Sequence, residues 1–181
     1  MKGFEEWQAQ NANEVLAKAK KILGRQHKPA EQLRQTHPRL LYTISDPSSW
    51  HDGEEMQDMW AGLLVSSSLN QAYDEGNLVF TDILGKMTAG EVRILNHACA
   101  NETKIVADDG IVVAEQLVCS ISELMRIARI TEVFCLDFQI NHMRSLGLLP
   151  YGINLYKLTQ QFAADITPSS LALYMFVRCN G

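Results

Sequence analysis

Several features are scarce or missing in this 181-residue sequence. It has four cysteines (Cys99, Cys119, Cys135 and Cys179), scattered and without a CxxC pair. No apolar run approaches the ~20 residues that span a bilayer, and the longest candidate covers only residues 171–177. The N-terminus carries acidic residues where a secretion signal has a basic start. We therefore expect a cytoplasmic protein with free thiols and no membrane span.

An excess of positive charge is also lacking. Sixteen Lys and Arg face 21 Asp and Glu, which gives a net charge of −5 and argues against broad electrostatic capture of nucleic acid. Phosphate-binding loops, dinucleotide fingerprints and nucleophile elbows do not occur. Hydrophobic residues make up 46% of the chain, enough for a sizeable core. We predict a globular protein that is not an enzyme and has no catalytic residues and no cofactor.

One cluster could in principle hold a metal ion: His51, Asp52, Glu54, Glu55 and Asp58. Their spacing matches no familiar ligand motif, and an acidic, solvated helix start explains it as well. We expect no metal site here.

The hydrophobic pattern predicts a mainly helical N-terminal region, residues 1–75. A first amphipathic helix should end at Gly24 as its C′ residue, before a broken linker with a short helix through Pro29 and Pro38. Glu54 and Glu55 open a second helix with a broad apolar face.

The order of the elements over residues 76–166 predicts a winged helix-turn-helix-like domain with a small β-hairpin wing. Residues 167–181 are expected to form a C-terminal helix. A helix begins near Asn77, and Thr88 with Glu91 forms a capping box before the next. Residues 104–118 indicate a hairpin, or a loop that runs into a helix from Val112. A second capping box is expected at Ser120 and Glu123. A helix over 132–146 should be capped by Thr131 and end at Gly147. A hairpin that turns at 152–154, a short helix from Thr159 and a last helix with Pro168 as its first residue should complete the chain.

The helix over 132–146 occupies the place of a recognition helix. On a helical wheel one direction is shared by Val133, Leu136, Ile140, Met143 and Leu146, while Phe134, Cys135 and Phe138 cover much of the remaining surface. Its polar stripe is narrow (Asp137, Asn141, Arg144 and Ser145), and the wing adds only Lys157. Residues 76–181 hold eight basic and ten acidic residues, so packing or protein contact is favoured over reading DNA. If the domain does bind nucleic acid, Asn141, Arg144 and Lys157 are the candidate contacts.

A second charge asymmetry lies earlier in the chain. Residues 18–39 contain seven basic residues and a single acid, Glu31. Basic side chains suit a helix C-terminus, which is one explanation. The other is a patch for an anionic partner, either phosphate head groups or nucleic acid.

Three blocks of the sequence share a pattern with a known family: residues 49–64 (SWHDGEEMQDMWAGLL), residues 80–95, and residues 146–149 with 156–159. In this order they resemble the tryptophan-containing helix, the next block and the last block of the Abi-alpha family of bacterial abortive-infection proteins. The resemblance implies a bacterial protein associated with phage defence, in a family without agreed catalytic residues. Trp60, Leu63 and Leu64 of the first block are expected to be core.

Together these observations predict a non-enzymatic protein that acts through protein–protein contacts in phage defence. The alternative is a winged-helix regulator that binds nucleic acid. The sequence leaves the partner and any homo-oligomer open.

Overall fold

A computed structural model describes residues 2–69, 76–101, 103–106, 111–150, 156–158 and 161–180. The predicted mainly helical fold is confirmed: eight α-helices, one 3-10 helix and five short strands occupy the described part of the chain. The chain divides into two compact units, residues 1–86 with 177–181 and residues 87–176.

The first unit is built from helices. They are α1 (Lys2–Arg25), the 3-10 helix Ala30–Gln35, α2 (Pro38–Ser49), α3 (Glu54–Leu69) and α4 (Gly76–Leu84). The helix α3 is buried on nearly every side, and Trp60, Leu63 and Leu64 are all inside. Asn11 of α1 donates a hydrogen bond to the Ser49 carbonyl at 3.0 Å, so the end of α2 lies against the N-terminal half of α1.

The end of α1 differs from the prediction. Gly24 is wrong as the C′ residue, because the helix continues to Arg25. His27, at φ 56°, takes the left-handed position instead. The Lys28 amide then bonds to the Leu23 carbonyl at 2.9 Å and the His27 amide to the Gly24 carbonyl at 3.2 Å, which is a Schellman end.

The helix α2 has no counterpart in the sequence prediction, although the short helix before it is confirmed as the 3-10 turn. Pro38 occupies its first turn, where a missing N–H costs nothing. The His37 ring accepts a hydrogen bond from the Arg39 amide at 3.2 Å and caps the helix. A histidine cap gives no familiar sequence signal.

The second unit combines helices with two small antiparallel sheets. Its elements are α5 (Ala89–Asn101), β1 (Lys104–Val106), β2 (Val112–Ala114), β3 (Val118–Ser120), α6 (Ile121–Ala128), α7 (Val133–Ser145), β4 (Tyr156–Leu158), β5 (Gln161–Asp165) and the first part of α8 (Ser170–Asn180). The hairpin predicted within residues 104–118 is confirmed: β1 pairs with β2, and Ile105 lies opposite Val113. The other sheet has the strand order β3-β5-β4. This order, with α6 and α7 between β3 and β4, is compatible with a winged helix-turn-helix.

The predictions for residues 152–166 need correction. The hairpin turn expected at 152–154 and Thr159 both lie outside the described residues. The helix expected from Thr159 is wrong over residues 161–165, which form β5. Strand β5 pairs with β3 on one side and β4 on the other, and this two-sided pairing outweighs the helix preference of Ala163 and Ala164.

Two of the predicted helix starts are confirmed, those at Thr88 and Ser120, and two are wrong, those at Thr131 and Pro168. The Thr88 and Glu91 box is confirmed in both directions, at 3.2 Å and 2.7 Å. Ser120 caps α6, but the Glu123 carboxylate pairs with Arg126. Thr131 is wrong as the cap of α7, because Glu132 stands there without a side-chain bond. The start at Pro168 is also wrong, since the Ser169 hydroxyl accepts from the Ala172 amide at 3.1 Å.

Candidate functional site

The helix α7 is held firmly along one side and at its C-terminal end. Leu136, Ile140 and Met143 are buried. Gly147, at φ 74°, ends the helix as predicted. The Leu148 amide bonds to the Met143 carbonyl at 3.0 Å and the Gly147 amide to the Arg144 carbonyl at 2.9 Å. The rest of α7 is therefore presented to solvent from a fixed support.

The solvent side of α7 carries large apolar side chains. Phe134 is 79% exposed, Phe138 64% and Val133 55%. Cys135 is exposed between them. We call these four residues the α7 apolar face. Val133 shares the helical-wheel direction of Leu136 and Ile140 but is itself exposed, because the first three residues of α7 are all exposed and its packed side begins at Leu136. Two large apolar rings one helical turn apart are thus left in contact with solvent.

The candidate nucleic-acid contacts are arranged differently. Arg144 is half-buried, and its Nη1 donates to Oδ1 of Asn141 at 3.1 Å. Although partial burial opposes it, hydrogen bonds from Thr167 and Gln116 and the positive charge of Arg144 lower the pKa of the Asp165 carboxyl. The structure thus brings Asn141 and Arg144 together, and the charge of Arg144 acts on an acid of its own unit. Lys157 lies in β4 opposite Phe162, and its side chain is outside the described atoms.

A partly buried polar contact links α7 to α5 next to Phe138 of the α7 apolar face. Nδ1 of His142 lies 2.7 Å from Oε1 of Glu91, a fully buried residue of α5. The His142 ring also stacks on the Phe138 ring, with centroids 6.4 Å apart and planes at 14°. The His142 ring, which contacts Glu91 of α5, therefore orients the Phe138 ring. Sequence reasoning missed this contact, because 51 positions separate the two residues.

Two members of the cluster considered for metal binding, Asp58 and His51, have other side-chain partners. Nζ of Lys18 lies 2.5 Å from the Asp58 carboxylate and also bonds to the Glu54 carbonyl at 3.2 Å. The His51 ring stacks against Trp60 at 6.5 Å. Among the described residues, no group of three or more His, Cys, Asp or Glu is placed to hold a metal ion. Within the same residues, no helix combines the length and apolar character needed to cross a membrane.

Comparison with known proteins gives one match. A family model described as "Abortive infection alpha" matches residues 10–169, which include all of the α7 apolar face and the Glu91 and His142 contact. No curated protein and no solved structure matches the chain.

Proposed function

The chain belongs to the abortive infection alpha family, and from this premise we propose that it is a non-enzymatic bacterial phage-defence protein that acts by contacting another protein. The α7 apolar face is the surface that we assign to this contact. We further propose a cytoplasmic location and a winged-helix architecture for the second unit, in line with its strand order.

The exposure of Phe134 and Phe138 is the observation that carries the proposal. Buried aromatic side chains supply much of the binding energy at protein interfaces, and they act best when they are held in one orientation before binding. Phe138 meets this condition through its stacking on His142. Leaving such rings in water favours a partner that covers them.

The same helix is poorly suited to reading DNA. A recognition helix needs Arg, Lys, Asn or Gln aimed at base edges, with cations nearby for phosphates. The exposed face of α7 instead offers two phenylalanines and Asp137, while Arg144 is half-buried against Asn141. Protein contact is therefore the function that this helix supports better.

The test is a phage plating assay on cells that express the chain, the Phe134→Ser/Phe138→Ser variant or the Phe4→Ser variant. We expect the wild type to lower plating efficiency and the α7 double variant to lose that protection. Both rings are exposed, so thermal unfolding of the double variant should stay close to wild type. Phe4 is a matched control, since it is also exposed but belongs to the other unit.

The alternative makes the opposite prediction. Nucleic-acid binding by this helix would show as tight binding to short duplex DNA that weakens steeply with salt and disappears in Arg144→Glu. That result, together with full protection by the Phe134→Ser/Phe138→Ser variant, would overturn the protein-contact proposal.

A further inference from the structure

The first unit carries a second surface, which is basic and lies at the C-terminal end of α1. Lys20, Lys21, Arg25 and Lys28 are all exposed. Within the part of the chain that the structure describes, none of these four side chains makes a hydrogen bond or an ion pair. Lys18 differs, because it pairs with Asp58. We call Lys20, Lys21, Arg25 and Lys28 the basic end of α1.

The helix dipole accounts for Arg25 in the last turn of α1 but not for the other three cations. The dipole favours cations in the last turn and fades beyond it. Because α1 ends at Arg25, Lys20 and Lys21 lie before the last turn. Lys21 and Arg25 are four residues apart on the helix, a spacing at which like charges repel each other. The Schellman end then folds Lys28 back toward the helix, through its amide bond to the Leu23 carbonyl at 2.9 Å. An external anion would relieve this repulsion.

Exposed apolar side chains follow in the next helix. Tyr42 is 75% exposed and Leu41 43%, both in the first turns of α2. The end of α2 lies against Asn11, and the chain enters α2 from the C-terminal end of α1 through the 3-10 helix. The first turns of α2 therefore lie toward the basic end of α1.

We propose that the basic end of α1, with Leu41 and Tyr42, binds peripherally to the surface of an anionic lipid bilayer. Lys and Arg are attracted to anionic head groups, while Tyr and Leu enter the interface between head groups and acyl chains. Nucleic acid would use the cations but gives an exposed leucine no apolar environment. The proposal stands apart from the protein contact at α7 and involves no membrane-spanning helix.

The experiment is vesicle co-sedimentation of the full chain. The probes are vesicles of phosphatidylcholine alone and vesicles with phosphatidylglycerol at about 30%. We expect binding to the anionic vesicles only, weakening as salt is raised. Each cation near an anionic surface contributes roughly 5-fold in affinity, so Lys20→Gln/Lys21→Gln should bind roughly 25-fold more weakly. The control Lys86→Gln/Arg126→Gln removes the same charge from cations already paired with Asp82 and Glu123, and should bind like wild type.

A second variant separates a bilayer from other anions. Leu41→Ser/Tyr42→Ser should weaken vesicle binding several-fold while leaving thermal unfolding near wild type, since both side chains are exposed. Two results would overturn the proposal. One is an absence of binding to the anionic vesicles at low salt. The other is vesicle binding unchanged in Leu41→Ser/Tyr42→Ser, together with equal or tighter binding of wild type to duplex DNA, which would assign the surface to nucleic acid. Plating efficiency is scored separately, so failure here leaves the α7 proposal standing.

Discussion

Nδ1 of His142 lies 2.7 Å from Oε1 of Glu91, while the other oxygen of Glu91 accepts a hydrogen bond from the Thr88 amide at 2.7 Å. A fully buried carboxylate thus closes the cap of α5 and holds α7 at the same time. Burying a carboxylate is costly unless its oxygens are bonded, and here both are. The contact fixes the ring on which Phe138 stacks.

Glu91→Ala should therefore be strongly destabilising. We expect the free energy of unfolding to fall by about 3 kcal/mol, because the change removes a buried polar pair and a helix cap together. Thr88→Ala, which removes the cap partner alone, should cost about 1 kcal/mol. Urea unfolding followed by circular dichroism measures both variants. Equal losses in the two would show that the contact with His142 contributes nothing.

Gly62 of α3 should not tolerate a side chain. A Cβ atom there would lie 1.7 Å from the Cys179 carbonyl oxygen, a backbone atom that cannot turn aside. We expect Gly62→Ala to lower the free energy of unfolding by at least about 2 kcal/mol. Gly24→Ala is the matched control, because it lies inside α1 with open space around it. The control should raise stability by up to about 1 kcal/mol. Thermal melts that rank the two variants the other way would contradict this packing.

Local chemistry explains which parts of the fold could be predicted from the sequence. Thr88 and Glu91 are three residues apart, so their capping box depends on nothing outside one helical turn. Gly147 likewise marks a helix end, because its left-handed conformation suits glycine. His27 and Arg129 take left-handed positions without being glycine, and no local signal reveals them.

Long-range partners explain what could not be predicted. Residues 161–165 become strand β5 only because β3 and β4 flank them, and β3 lies more than 40 positions away. The contact between Glu91 and His142 spans 51 positions. The apolar side chains of α7 were visible in the sequence, but a helical wheel cannot tell a fully buried helix from one whose second apolar side is left exposed.

Thiol reactivity should follow burial. Cys135 is exposed on α7, Cys119 is half-buried, and Cys99 and Cys179 are buried. Burial raises the pKa of Cys179, and burial with the nearby Glu123 charge raises that of Cys119. We expect iodoacetamide to modify Cys135 first, Cys119 slowly, and the other two only after unfolding. Peptide mass spectrometry follows each site, and the chain in urea serves as the fully labelled control. Rapid native labelling of Cys179 would contradict its burial.

His51 should make the protein less stable in mild acid. Burial lowers the pKa of His51 below its ordinary value of 6.5, and the negative charge of Asp52 partly opposes this shift. As the pH falls through 6.5, the unfolded chain takes up the proton before the folded one does. The stability that His51 contributes is thus complete above this pH and is lost below it, until the folded ring is protonated too.

Two variants isolate this effect. Urea unfolding midpoints compared between about pH 7.5 and about pH 5.5 should fall in the wild type and fall less in His51→Asn, which cannot titrate. Asp52→Asn removes the charge that favours the protonated ring, so its midpoint should fall further than that of the wild type. The ordinary pKa of carboxyl groups lies below this window, near 4, and the other four histidines are the same in the wild type and in His51→Asn, so the difference between these two proteins isolates His51. The same pH dependence in wild type and His51→Asn would show that burial of this ring does not control acid stability.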